Sequence, residues 1–129
     1  MGKRDSYDAG TFSWVELAST DAKAAQDFYG KLFGWSKQGA MPMGALGDYT
    51  FIGRSEQDRP GAVMSSATTG APVRWNWYIQ VADIDAAVAT AKEKGGALMQ
   101  GPDPIPGGAF SANVKDAEGF QIGIVGQRG

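Results

Sequence analysis

From Phe12 to Leu17 the side chains alternate: Phe12, Trp14 and Glu16 share one face, Ser13, Val15 and Leu17 the other. A period of two is the mark of a strand in a sheet with distinguishable faces, so a first strand is predicted over Thr11–Ala18. The period then changes. Ala25, Phe28, Tyr29, Leu32 and Phe33 recur at three- and four-residue spacing, predicting a helix from about Asp21 to Phe33 with one apolar stripe against a sheet. Ser19 or Thr20 offers a capping hydroxyl, and Gly34 stands where a left-handed stop is expected.

Much of this recurs 62 residues on, since 83 − 21 = 62: Asp21 falls on Asp83, Ala24 and Ala25 on Ala86 and Ala87, and Gly34 on Gly96. A shared order of strand, cap, helix and stop points to duplication of one unit. Trp75–Val81 is the matching strand and about Asp83–Lys94 the matching helix, burying Ala87, Val88 and Ala91. Each copy is followed by three shorter strands, 35–38, 48–52 and 61–65, then 97–100, 109–114 and 120–125. GAMPMGALG, GRSEQDRP, GPDPIPGG and KDAEG are expected loops, and residues 1–9 carry no pattern. The fold class is therefore α+β, with two tandem βαβββ modules forming curved mixed sheets around a cavity and helices on the outer face. Module one covers about 10–65, a linker 66–74, and module two about 75–126 of a single domain.

Composition removes several chemistries. The 129 residues include no cysteine and no histidine, so thiolate nucleophiles, disulfides and the commonest general base and metal ligand are all missing. A net charge of −2 without a basic run argues against a nucleic-acid partner, and no segment reads as a membrane span. The cytoplasm is the expected compartment.

The runs WVELxxxDxxxAxxFYxxLFGW, WYIQVxDIDAAV and KDAEGFQIGIV closely resemble the vicinal oxygen chelate superfamily of glyoxalase I, bleomycin-resistance proteins, extradiol dioxygenases and fosfomycin-resistance enzymes. The match runs from Thr11 to Val125, and the FYGKLFGW form looks most like a glyoxalase-like branch that also holds mycobacterial secreted antigens. The resemblance implies paired modules around a U-shaped cavity and homodimers that place sites between modules. It also implies metal ligands on the first and last strand of each module. Carried over, those positions fall on Trp14 and Asn76, on Gly123, and near Met64 or Ser65. None is an ordinary ligand of a divalent cation, so no metal and no cofactor is expected.

The resemblance places Phe12, Trp14, Glu16, Asn76, Tyr78, Gln80, Gln121, Gly123 and Val125 on the cavity face, with Tyr49, Phe51 and Phe110 as further walls. Amide and hydroxyl groups on an inner face are costly without partners, which fits either a wet binding cavity or a face open to bulk water. Trp14 either stacks on a flat ligand or plugs the cavity as core. Glu16, partly desolvated beside it, is either a general base or counter-charge, or an idle strand-end carboxylate. Trp35, Trp75 and Trp77 read as packing or dimer contacts, Asp21 and Asp83 as helix starts, and Met41, Met43 and Met64 as adaptable lining or filler. Three functions stay open. One is a metal-independent binding protein that sequesters an aromatic or polycyclic compound. The second is an enzyme of the same superfamily, lyase, isomerase or dioxygenase-like, using Glu16 and Tyr78 or a carboxylate and amide metal site. The third is an interaction module with a filled cavity.

Overall fold

The alternating run becomes strand β1, Phe12–Ser19, in a computed structural model that describes residues 8–128. The patternless start expected at residues 1–9 lies mostly outside the described residues. The first helix, α1 (Ala22–Phe33), is capped by Asp21, whose carboxylate accepts from Ala24 N at 3.0 Å. Ser19, one of the two expected caps, instead accepts from Asp21 N and orients the cap itself. Gly34 ends the helix at φ 76°, a left-handed conformation that costs a residue with Cβ energy, and its N–H reaches Gly30 O at 2.8 Å.

Next come β2 (Ser36–Pro42), a 3-10 turn, β3 (Asp48–Gly53), β4 (Gly61–Ser65) and a one-turn helix α2 (Ser66–Thr69). The second half repeats the order as β5 (Arg74–Val81), α3 (Ile84–Glu93), β6 (Ala97–Pro104), β7 (Phe110–Lys115) and β8 (Gln121–Gly126). The stop of α3 is shifted by one residue: Gly95, not Gly96, takes the positive φ.

Two compact units result, one of residues 14–76 and the other of residues 8–13 with 77–128. In the first, the strand order is β2-β3-β4-β1, with β1 parallel to β4 and the other pairs antiparallel. The second has β6-β7-β8-β5, with β5 parallel to β8. Both edge strands, β2 and β6, run longer than expected and take in residues read as loop, Gly39–Pro42 and Gly101–Pro104. A strand at a sheet edge has one side without ladder partners, so it tolerates proline; both strands also shift register.

Each sheet packs one face on its helix. In unit one the core is Leu17, Ile52 and Val63, closed over by Ala25 and Tyr29 of α1 with Trp35 and Trp75. Each such aliphatic side chain contributes about 1.5–3 kcal/mol on burial. The expected stripe of α1 is wider than the face that is used: Phe28 is 61% exposed, and Leu32 and Phe33 are also exposed. Helical spacing fans these residues over an arc broader than the line of Ala22, Ala25 and Tyr29 that meets the sheet. In unit two the core is aliphatic, with Ile84 and Val88 of α3 packed on Ala112, Val114 and Ile124.

Candidate functional site

The face of each sheet turned away from its helix carries the residues the alternation singled out. In unit one, β4 separates β3 from β1, and registry sets Glu16 beside Ala62 and Ala62 beside Phe51. Strands lie about 4.8 Å apart, so β1 and β3 are about 10 Å apart, within reach of a tyrosine crossing a small residue. Tyr49 makes that crossing. Its hydroxyl accepts from Trp14 Nε1 at 2.6 Å and donates to Glu16 Oε2 at 2.6 Å, tying together two residues that stand two positions apart on β1. The span crosses β4, the strand between β3 and β1, and Ala62 of that strand is 0% exposed.

Phe51 completes the cluster, edge-on to Trp14 at 6.0 Å and to Tyr49 at 5.6 Å. Such herringbone contacts add about 0.5–1.5 kcal/mol each beyond burial and hold the rings in place. Over Phe51 lies the guanidinium of Arg59, 4.4 Å from the ring centroid. All five side chains stay half-buried. The result is a fixed aromatic platform with a carboxylate on one strand and a cation beside another.

Unit two solves the same geometry differently. Registry sets Tyr78 beside Gly123 and Gly123 beside Asn113. The Tyr78 ring lies flat on Gly123: a Cβ there would fall under 3.0 Å from three ring carbons. Tyr78 is accordingly 7% exposed, and Asn113 is buried as well. Gln80 and Val125 continue this face at the next register position, and Gln121 lies two residues before Gly123 on β8. Asn113 carried no signal in the sequence beyond its place in a short strand.

Other expected site residues stand elsewhere. Phe110 pairs with Gly126 on the opposite face, packs on the α3 core and carries the Arg128 guanidinium 4.5 Å above its ring, so it is not a wall of the open face. The reason is parity: Phe110 alternates with Ser111 and Asn113, and those are the open-face residues of β7. Phe12 is exposed and meets Trp77 edge-on at 5.5 Å, apart from the Trp14 cluster. Asn76 accepts from Arg74 Nη2 at 2.8 Å. Trp35 and Trp75 pack in the unit-one core, as expected of them.

The positions where relatives keep metal ligands can now be tested on their chemistry. Equivalent registry makes Ala62 the counterpart of Gly123, replacing the expected Met64 or Ser65. Trp14 has no lone pair to give and already donates its N–H; Ala62 and Gly123 have no donor atom; and the Tyr78 ring fills the space a glutamate would need at Gly123. These residues do not fit the family's ion. Among the described residues, no three His, Cys, Asp or Glu side chains converge, and no helix is long and apolar enough to cross a membrane.

Comparison with known proteins agrees with this architecture. The candidate glyoxylase CFP32 of Mycobacterium bovis is 32% identical over 126 residues, 96% of this chain and 48% of that protein. The anthracycline biosynthesis protein DnrV of Streptomyces peucetius is 29% identical over 127 residues, 89% of this chain and 46% of that protein. The chain thus spans about half the length of the curated relatives it matches. Among solved structures, a methylmalonyl-CoA epimerase superposes with a TM-score of 0.63 at 21% identity, covering 96% of this chain and 100% of that one. The hypothetical protein BH1468 from Bacillus halodurans C-125 gives 0.65 at 17% identity, covering 95% and 97%. At such identities the structures speak for the fold alone. The model of the Glyoxalase/Bleomycin resistance protein/Dioxygenase superfamily matches residues 11–124, and the chain belongs to that superfamily.

Proposed function

We propose that this chain is a metal-independent binding protein that captures a planar aromatic or polycyclic compound on the open face of unit one. The observation that carries this is the bridge of Trp14, Tyr49 and Glu16. The indole in the place of a chelating imidazole is held by a hydrogen bond at its N–H and an edge contact from Phe51. A ring fixed in this way loses little conformational freedom when a flat guest stacks on it, which favours affinity. The name of DnrV, an anthracycline biosynthesis protein, supports the same ligand class, since anthracyclines are planar and polycyclic.

Calorimetric titration with an anthracycline and a panel of other flat aromatics tests the reading. At least one compound binds in the micromolar range, and Trp14→Ala weakens it about tenfold or more, a loss of about 1.4 kcal/mol. No binding across the panel at high micromolar concentration contradicts it.

One observation favours an enzyme as second reading. The Tyr49 hydroxyl donates to the Glu16 carboxylate at 2.6 Å, a pair suited to passing a proton to a substrate held on the platform. In this reading Tyr49 partners Glu16 as the proton donor. Turnover lost in Glu16→Gln with ligand affinity retained identifies the enzyme, and elemental analysis of the purified protein settles whether an ion accompanies it. The same proposal has the chain acting as a homodimer, supported by relatives about twice its length and tested by light scattering.

A further inference from the structure

Arg59 sits in a stretch, GRSEQDRP, that reads as an ordinary polar hairpin loop. The structure gives it a more definite place. The loop before it closes tightly: Arg54 N donates to Asp58 O at 2.9 Å, Asp58 N to Ser55 O at 3.1 Å, and the Arg54 guanidinium pairs with the Asp58 carboxylate. Gly53 lets the loop fold back, since a Cβ there would collide with Asp58 O and Arg59 Cα. On the other side, Pro60 O accepts from Val15 N at 3.1 Å. Arg59 is therefore presented from backbone pinned on both flanks.

Its charge is the second observation. Asp58, the nearest carboxylate in sequence, is engaged by Arg54. Among the described residues Arg59 makes no ion pair within 4.0 Å, while its guanidinium rests on Phe51, the ring shared by Trp14 and Tyr49. A guanidinium is a planar fork of N–H donors that can hold two oxygens at once. Half-buried beside the rings, it sets a donor fork at the rim of the aromatic platform.

We infer that Arg59 is the charge-recognising residue of the unit-one face and that the ligand is a planar aromatic bearing a carboxylate, its ring on Trp14 and its oxygens on Arg59. This rests on the reading of that face as an aromatic binding site. It goes further in naming the ionic group that a guest must carry.

The test uses naphthalene-2-carboxylate and naphthalene-2-carboxamide, two flat probes of nearly equal size that differ by one charge, titrated calorimetrically into the whole chain. The unaltered protein prefers the carboxylate by about tenfold or more, as a charge-assisted fork predicts. Arg59→Gln brings the ratio close to one while the amide keeps its affinity, and Arg59→Lys retains part of the preference. Lys31→Gln, which removes one positive charge from the exposed face of α1, leaves the ratio unchanged. A preference that survives Arg59→Gln, or one lost equally in Lys31→Gln, overturns the assignment. If both probes bind the unaltered protein equally, the aromatic site stands and only the role of Arg59 falls. If neither binds, both fall together.

Discussion

Unit one and unit two repeat one topology, and their open faces meet the same packing problem with opposite choices. In each, the strand between two neighbours carries a small residue at the equivalent register position, Ala62 or Gly123. In unit one an aromatic ring comes from two strands away: Tyr49 crosses from β3 and ends its hydroxyl between Trp14 and Glu16 of β1. In unit two it comes from the adjacent strand: Tyr78 of β5 settles directly on Gly123. The first choice leaves a half-buried platform of rings with a carboxylate and an arginine at its borders. The second seals its surface with one ring and an asparagine. The repeated topology thus ends in two different faces, one that leaves its rings half-buried and one that packs its ring away. The positions where relatives hold an ion are taken up by these two solutions.

The largest expected effect comes from forcing unit two back toward the family's pattern. Gly123→Glu introduces a side chain where the Tyr78 ring lies, so it destabilises the protein instead of creating a metal site. Overpacking costs about 1–3 kcal/mol at well-packed positions, and this replacement belongs at or above the upper end. Urea denaturation of Gly123→Ala, Gly123→Glu and the pair Gly123→Ala with Tyr78→Ala checks it. The double variant should lose less than the sum of its singles, because the clash vanishes with the ring.

Breaking the bridge of unit one has a smaller cost in stability and a larger one in binding. Tyr49→Phe keeps the ring and removes the hydroxyl that serves both Trp14 and Glu16. A loss of about 1–3 kcal/mol is expected, since a partly buried N–H and a carboxylate lose one partner together. Affinity for aromatic ligands falls in parallel, measurable by the same titrations, whereas Tyr78→Phe leaves that affinity unchanged.

The smallest effect separates the helices. The Asp83 carboxylate accepts from two backbone N–H groups, Asp85 and Ala86, and the Asp21 carboxylate from that of Ala24. Removing an N-cap costs about 1 kcal/mol. Asp83→Ala should exceed Asp21→Ala in thermal melts, and the reverse order would show that the repeat is less asymmetric than its caps.

Much of this was readable from the chain. Strong alternation in β1 placed Trp14 and Glu16 on one face, because the opposite face, with Val15 and Leu17, is buried and the contrast is steep. The 62-residue offset aligned the caps and, through registry, the pair Glu16 and Tyr78. Edge strands were harder. Most of β2 is exposed on both faces, so no alternation marks its length. Strand β4, Gly-Ala-Val-Met-Ser, has no polar and apolar contrast to show which residue stands beside Glu16, so the sequence points to Met64 or Ser65 where registry gives Ala62. Phe110 was misplaced because an aromatic residue suits either face of a short strand. Arg59 was hidden for a different reason: a loop sequence does not reveal where its backbone is pinned or which ring its side chain covers.

The most direct test is to follow the four indole N–H signals of the protein by two-dimensional nitrogen–proton NMR while adding a planar aromatic carboxylate. The signal of Trp14 should shift saturably, and those of Trp35 and Trp75, packed against the unit-one core beside α1, should stay in place. Movement confined to Trp35 and Trp75, or no movement at any concentration, would contradict the assignment of the guest to the face built by Trp14, Tyr49 and Glu16.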